Sequence, residues 1–233
     1  MPHSGDPLKA AKAVVMSWYG VLFDRDRRIV HEATRESLRR WGVEASDDEL
    51  VASRGPTGRA QFERLCSISR IAEEFRARQR RWVSGEDLDA MARDFEPRLA
   101  AVSMPMPNPD ARDALRLVRA RGLRTAAICC APRRAIARQL EALAGAGIEL
   151  DCIVTADEVR QPAPAPWAIF EVQRIFEIGE PSGIAHIDDT PAGWSAARNA
   201  GARSIALLGQ GMPTAEAQFL IRSLNELSAA AMG

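Results

Sequence analysis

The chain has 233 residues, 46% of them hydrophobic and 27% charged, a composition that supports a buried core in one large domain or in a core carrying a smaller one. Lys plus Arg and Asp plus Glu both number 31, so the formal net charge is zero. That balance removes the basic surface field on which binding to nucleic acid or to an acidic membrane depends.

No stretch approaches the ~18 consecutive apolar residues of a membrane span. The four cysteines, Cys66, Cys129, Cys130 and Cys152, form no CxxC pair and no Cys/His zinc spacing, and the first residues carry no apolar signal segment. The expectation is a cytoplasmic protein with reduced thiols.

Ala13-Val-Val-Met16 is a short apolar run followed at once by small and turn-type residues, and it reads as a buried strand of a parallel sheet. From about residue 32 to about 103 the pattern is helical. Ile71, Phe75 and Trp82 mark one amphipathic helix, and a capping box, Ser84-x-x-Asp87, opens another that carries Leu88, Met91, Phe95 and Leu99 at helical spacing. The basic run Arg76-Ala-Arg-Gln-Arg-Arg81 reads as a solvated helix face. We expect a helical cap domain over 32–103, inserted between core segments 1–31 and 104–233, with hinges near His31 and at Met104-Pro-Met-Pro107.

Strand–helix alternation follows. Asn108 is expected as an N-cap, with Pro109 in the first turn, Leu115 and Val118 on one face and Gly122 at the stop. Strands are expected at Thr125–Cys130, Cys152–Thr155, Gly183–Ile187 and Ser204–Leu208. Between them, Ile136, Leu140 and Leu143 mark one helix, and Trp167, Phe170 and Ile175 another; Gln161-Pro-Ala-Pro-Ala-Pro166 is a short stiff connector. The pattern is that of an α/β protein with a doubly wound, Rossmann-like parallel sheet. Ligands bind such sheets beyond the carboxyl ends of the strands, and an insert leaving after the first strand can lie over that edge as a lid.

The residues at those strand ends are few. Ser17 closes the first strand, as a nucleophile or ligand hydrogen-bonder or simply as a small terminal residue; its hydroxyl is neutral and has no base beside it in sequence. Trp18 and Tyr19 either stack on a ligand or fill the pocket. Cys129 and Cys130 are buried small hydrophobes, unless a helix N-terminus lowers a thiol pKa. His186 lies within a strand, as a core histidine or a base. Asp188 and Asp189 either hold a divalent cation or cap the next helix.

Trp18-Tyr-Gly20 with Asp24, Ser69-Arg-Ile-Ala-Glu-Glu-Phe75, Pro164-Ala-Pro-Trp167 and Asp189-Thr-Pro-Ala-Gly-Trp-Ser-Ala-Ala-Arg-Asn-Ala-Gly201 together resemble the phosphonoacetaldehyde hydrolases of the haloacid dehalogenase superfamily, over about residues 1–210. The resemblance implies a Rossmann-like core with a helical cap. It implies catalytic positions at Ser17, Tyr19 and Asp189, ligand-binding positions at Trp18, Cys129, Arg59 and Gln161, and Mg²⁺ held weakly by Asp188 and Asp189. In that family the position of Ser17 is an aspartate nucleophile. Many superfamily phosphatases have an acidic general acid where Tyr19 stands, a phosphate-binding Ser or Thr where Cys129 stands, and a basic residue where Gln161 stands. The cap lysine that forms a Schiff base falls near Gly58, beside Arg59, whose guanidinium cannot condense with an aldehyde. Only Asp188-Asp189-Thr190 keeps the family's pattern.

The expected function is therefore a pseudoenzyme that keeps the fold and binds a ligand or partner. A changed, non-phosphoryl chemistry in the same pocket comes second, and an active phosphonate or phosphate hydrolase third. Ser17 and Gln161 are expected to face one cleft, with Trp18 or Tyr19 in its wall and Asp189 opposite. A small molecule in the cleft between core and cap and a homodimer through cap helices are the expected partners, with neither nucleic acid nor membrane among them.

Overall fold

The computed structural model describes residues 5–24, 27–54, 58–101, 106–208 and 217–229. Six parallel strands form one sheet: β1 (Ala13–Ser17), β2 (Arg124–Ile128), β3 (Cys152–Val154), β4 (Ile184–Asp188), β5 (Arg203–Leu207) and β6 (Phe219–Ile221), in the order β3-β2-β1-β4-β5-β6. Every residue of β4 is buried, as are the first four of β1, which is why these runs are apolar rather than alternating. Five strands fall where the sequence places them. The sixth, β6, has only three residues, too few for any periodicity.

Register decides what meets at the carboxyl edge. Ser17 pairs with Ile128, and Met16 pairs with Ile187. The last residue of β1 therefore lies between Cys129, just beyond β2, and Asp188, the last residue of β4.

Five helices fill the stretch between β1 and the return to the sheet: α1 (Arg28–Arg39), α2 (Asp47–Ala52), α3 (Arg59–Cys66), α4 (Ser69–Gln79) and α5 (Gly85–Ala101). No strand interrupts them among the described residues. The run starts at Arg28, earlier than residue 32, and His31, read as a hinge, lies inside α1. Residues 104 and 105 of the second expected hinge lie outside the described residues, while Pro107 is bridged to Phe23.

The Ser84–Asp87 box is present: Ser84 N donates to Asp87 Oδ2 at 2.8 Å and Asp87 N to Ser84 Oγ at 3.3 Å. Trp82 is not part of a helix face. It lies beyond the end of α4, 56% exposed, beneath the Arg76 guanidinium at 4.8 Å.

On the sheet side follow α6 (Ala111–Ala120), α7 (Ala137–Gly145), α8 (Trp167–Ile175), α9 (Pro191–Ala200) and the short α10 (Glu226–Ala229). α6 starts three residues after Asn108, so Asn108 is not its N-cap. Asn108 instead stitches the chain crossing, its Nδ2 donating to Val21 O and its backbone N to Leu22 O, both at 2.7 Å. In α8 the buried face belongs to Ile169 and Val172, with Trp167 and Ile175 at 41% and 38% exposure. The helix that Trp167, Phe170 and Ile175 mark in the sequence is therefore present, with its buried positions at Ile169 and Val172. No helix among the described residues is long and apolar enough to cross a membrane.

Phe95 of α5 packs edge-on against Phe62 of α3, centroids 6.0 Å apart, and is almost wholly buried. Phe95→Ala should lower stability by about 3–5 kcal/mol, measured as a shift in the midpoint of urea denaturation.

Candidate functional site

The site grows from the turn that follows β1. Phe23 N donates to Trp18 O at 2.8 Å, Leu22 N to Ser17 O at 3.1 Å and Gly20 N to Phe23 O at 2.7 Å, which folds residues 17–23 back over the sheet edge. Gly20 has φ +85°, and a Cβ there would lie 2.2 Å from the Asp189 carboxylate. Only glycine satisfies both demands.

Asp24 then caps the next helix, its Oδ2 accepting from Ile29 N at 2.8 Å. Arg27, immediately before α1, also has a left-handed φ of 55° and turns its side chain back under the turn. Arg27 Nε donates to Asp189 Oδ2 at 2.8 Å, and Nη2 donates to Asp189 Oδ1 at 2.5 Å and to Tyr19 O at 3.1 Å. Arg27 is 4% exposed and Asp189 6%. Burial disfavours a charged Arg27, but the facing Asp189 and nearby Asp188 carboxylates hold its pKa above the usual guanidinium value, so the pair is ionic.

Asp188 is engaged separately. Ser17 Oγ donates to its Oδ2, and its Oδ1 accepts from Thr190 N and Thr190 Oγ1, both at 2.7 Å. Thr190 caps α9 by accepting from Gly193 N at 3.1 Å. A Cβ on Gly193 would sit 2.1 Å from the Asp188 carboxylate. His186, two residues earlier, is buried, with Nε2 3.8 Å from Asp188 Oδ2, and neither ring nitrogen hydrogen-bonds to a described residue. Burial holds its pKa below the usual imidazole range, against the pull of Asp188 and the Gly193 backbone.

Trp18 and Tyr19 share a partner. Trp18 Nε1 donates to Gln139 Oε1, and Gln139 Nε2 donates to Tyr19 Oη at 3.1 Å. Burial pushes the Tyr19 phenol well above its usual pKa, so it is a poor general acid at neutral pH. Burial likewise pushes the Cys129 thiol up, which leaves it an unreactive thiol rather than a thiolate.

Ser17, Trp18, Tyr19, Arg27, Cys129 and Asp188 share a cavity of about 50 Å³ with the stretch from Thr155 to Ile169, room for a few water molecules. Its walls are mainly apolar, and none of its lining residues comes from α1–α5. Two expected ligand positions lie elsewhere. Gln161 is exposed, and Pro162 and Ala163 line the cavity instead of it. Arg59, exposed at the start of α3, donates to Gly85 O at 2.9 Å and to Asp89 Oδ1 at 2.6 Å, which ties it to α5. Of the Gly55–Arg59 segment, residues 55–57 lie outside the described residues.

Sequence reasoning missed Arg27 and Gln139. Arg27 sits in the string Asp24-Arg-Asp-Arg-Arg28, which looks like solvated surface, and Gln139 is a polar residue in an ordinary helix. Nothing in the local pattern marks either as buried.

These residues do not fit Mg²⁺. Both oxygens of Asp189 face the Arg27 guanidinium, a positive charge where a cation would sit, and Ser17 at the end of β1 offers a neutral hydroxyl in place of an anionic oxygen ligand. Among the described residues, no group of three His, Cys, Asp or Glu is placed to hold a metal.

A family model described as haloacid dehalogenase-like hydrolase matches residues 11–201. Phosphonoacetaldehyde hydrolase of Bordetella pertussis is 29% identical over 206 residues, 84% of this chain and 72% of that protein. Its counterpart in Bordetella avium is 26% identical over 223 residues, 93% of this chain and 78% of that protein. In fold, the chain is similar to the crystal structure of a phosphonoacetaldehyde hydrolase-like protein from Oleispira antarctica. The TM-score is 0.85 at 18% identity, over 99% of this chain and 95% of the other.

Removing one partner of a buried ion pair strands the other, whereas removing both can be nearly neutral. Arg27→Met should therefore cost about 3–5 kcal/mol, and Arg27→Met/Asp189→Leu should recover most of it, as read by a double-mutant cycle on denaturation midpoints. A second expectation concerns acid. His31 is held at a pKa of about 4, chiefly by burial and then by the charges of Arg54, Arg27 and Arg35, and His186 is also depressed. The unfolded imidazoles take up protons near pH ~6.5, before the folded ones do. Stability should fall as pH drops from about 6.5 towards 4, and His31→Gln should flatten that slope in denaturation series at stepped pH.

Proposed function

The chain belongs to the haloacid dehalogenase-like hydrolases, and from that premise we propose that it has given up the family's hydrolysis through an aspartate nucleophile and serves as a binding protein for a small uncharged ligand. The observation that carries this reading is the end of β1. Ser17 stands there with its hydroxyl donating to Asp188, so the end of β1 itself offers no carboxylate to attack phosphorus. The buried surroundings add support: Arg27 is consumed by Asp189, Tyr19 is a neutral phenol, and among the described residues the cavity walls bring no second arginine or lysine. We place the helical stretch α1–α5 as the cap over this edge, with the ligand seated on the sheet side.

One observation favours a second reading, in which Ser17 is itself a nucleophile. Asp188 Oδ2 accepts the Ser17 proton, which supplies in space the base that the sequence lacks. A carboxylate is a weak base for an alcohol, and Asp188 already accepts two further hydrogen bonds through Oδ1, so this reading ranks second. It differs in a covalent readout: Ser17 would be labelled by a fluorophosphonate.

The relatives named phosphonoacetaldehyde hydrolase define the assay. The chain should release no phosphate from phosphonoacetaldehyde or from an aryl phosphate above background, and Ser17→Asp should remain silent. In that variant two carboxyl groups would share the Ser17–Asp188 contact, so one would hold a proton at neutral pH. Steady phosphate release by the unaltered chain would refute the proposal, and mass-spectrometric labelling of Ser17 would promote the second reading.

A further inference from the structure

We propose that the Arg27 guanidinium is the resident cation of this site, taking the oxygens that a divalent metal would need and leaving the pocket independent of Mg²⁺. The assignment goes beyond the proposed loss of hydrolysis and rests on different atoms.

Two segments supply the oxygens. The Asp189 carboxylate follows β4 and the Tyr19 carbonyl follows β1, and both accept from one guanidinium. They are hard anionic and carbonyl oxygens, the kinds of ligand that Mg²⁺ takes. The fork matches the carboxylate in a bidentate manner, with a geometry that a lysine cannot reproduce.

The backbone is built to deliver that group. Asp24 and Arg27 both adopt left-handed φ angles, 50° and 55°, and Arg27 N donates to Asp24 O at 2.7 Å. Non-glycine residues hold such angles only where the surroundings over-determine them. On the other side, the missing Cβ of Gly20 leaves room for the Asp189 carboxylate. Strain in one segment and a gap in another thus converge on a single contact.

Electrostatics gives the consequence. A metal arriving at Asp189 would have to displace a desolvated, doubly bonded guanidinium and would be repelled by it on approach. The guanidinium sets one positive charge against the adjacent carboxyl groups of Asp188 and Asp189. Among the described residues the cavity lining has no second arginine or lysine to receive a phosphoryl dianion. The ligand class that fits is a small neutral molecule, held by apolar walls and by the polar rim at Ser17.

Magnesium titration of the intact chain tests the assignment by heat and by thermal melting, with no reference to turnover. The unaltered protein should give no saturable heat, and its Tm should not move with MgCl2. Arg27→Ala should melt lower and regain about 2–4 °C or more as MgCl2 is added, and Arg27→Ala/Asp189→Asn should lose that gain. Saturable Mg²⁺ binding by the unaltered protein, abolished in Asp189→Asn, would overturn the proposal, as would a folded Arg27→Ala with no response to Mg²⁺. If Arg27→Ala does not fold, Arg27→Gln replaces it, and the titration of the unaltered chain decides alone if neither folds. The two proposals fail separately. Phosphate release that persists in a chelator would sink the loss of hydrolysis and leave Arg27 in place, whereas metal binding without turnover would do the reverse.

Discussion

A guanidinium and a carboxylate, both more than nine-tenths buried, meet at the carboxyl edge of the sheet, where Arg27 forks onto Asp189. Desolvating such a pair costs several kcal/mol per ion, and only near-ideal geometry with the remaining donors and acceptors engaged offsets it. Here Nη2 also reaches Tyr19 O, which adds a third bond from the turn after β1. One contact therefore ties together the end of β4, the turn after β1 and the residue that opens α1. The helical stretch joins the sheet at the same point where a ligand would bind, so the orientation of α1 and the charge of the pocket are set by one interaction.

The second carboxylate shows the same logic in a milder form. Asp188 is not paired with a cation; it is held by Ser17, by the Thr190 amide and by the Thr190 hydroxyl. Those hydrogen bonds offset the burial of its carboxyl group. Gly193 is required because a side chain there would enter the Asp188 carboxylate, as Gly20 is required by Asp189. Two adjacent aspartates thus have two separate solutions to burial, an ion pair for one and neutral donors for the other.

The architecture was legible in the sequence because buried parallel strands must be continuous apolar runs. β1 to β5 each carry a short apolar stretch of this kind, and the capping box at Ser84 and Asp87 is a local signal that needs no tertiary context. Where the reading slipped, tertiary contact had overridden local pattern. Asn108 looks like a cap but bonds Val21 O across the chain, and Trp167 and Trp82 look like core but lie over arginine side chains, Arg160 and Arg76. At the site, Ser17, Trp18, Tyr19, Cys129 and Asp188 could be placed from strand ends alone. Arg27 and Gln139 could not, because their burial depends on pairings with Asp189 and with Trp18 and Tyr19 that are distant in sequence. Gln161 was assigned by position in a motif, and position along the chain does not tell which way a loop residue faces.

The relation between fold and chemistry in this family follows from what a strand edge can and cannot change. Register forces the ends of β1, β2 and β4 together whatever their side chains are, so the residues just beyond those strands share one edge. What must change together is charge. An aspartate at position 17 would face Asp188 with no cation between them, and Arg27, being committed to Asp189, cannot serve both. At the end of β1 a hydroxyl meets Asp188, and beside it a guanidinium meets Asp189, so each carboxylate has its own donor. A bound metal can be loaded, exchanged and lost, whereas a covalently tethered cation is always present and always in the same place.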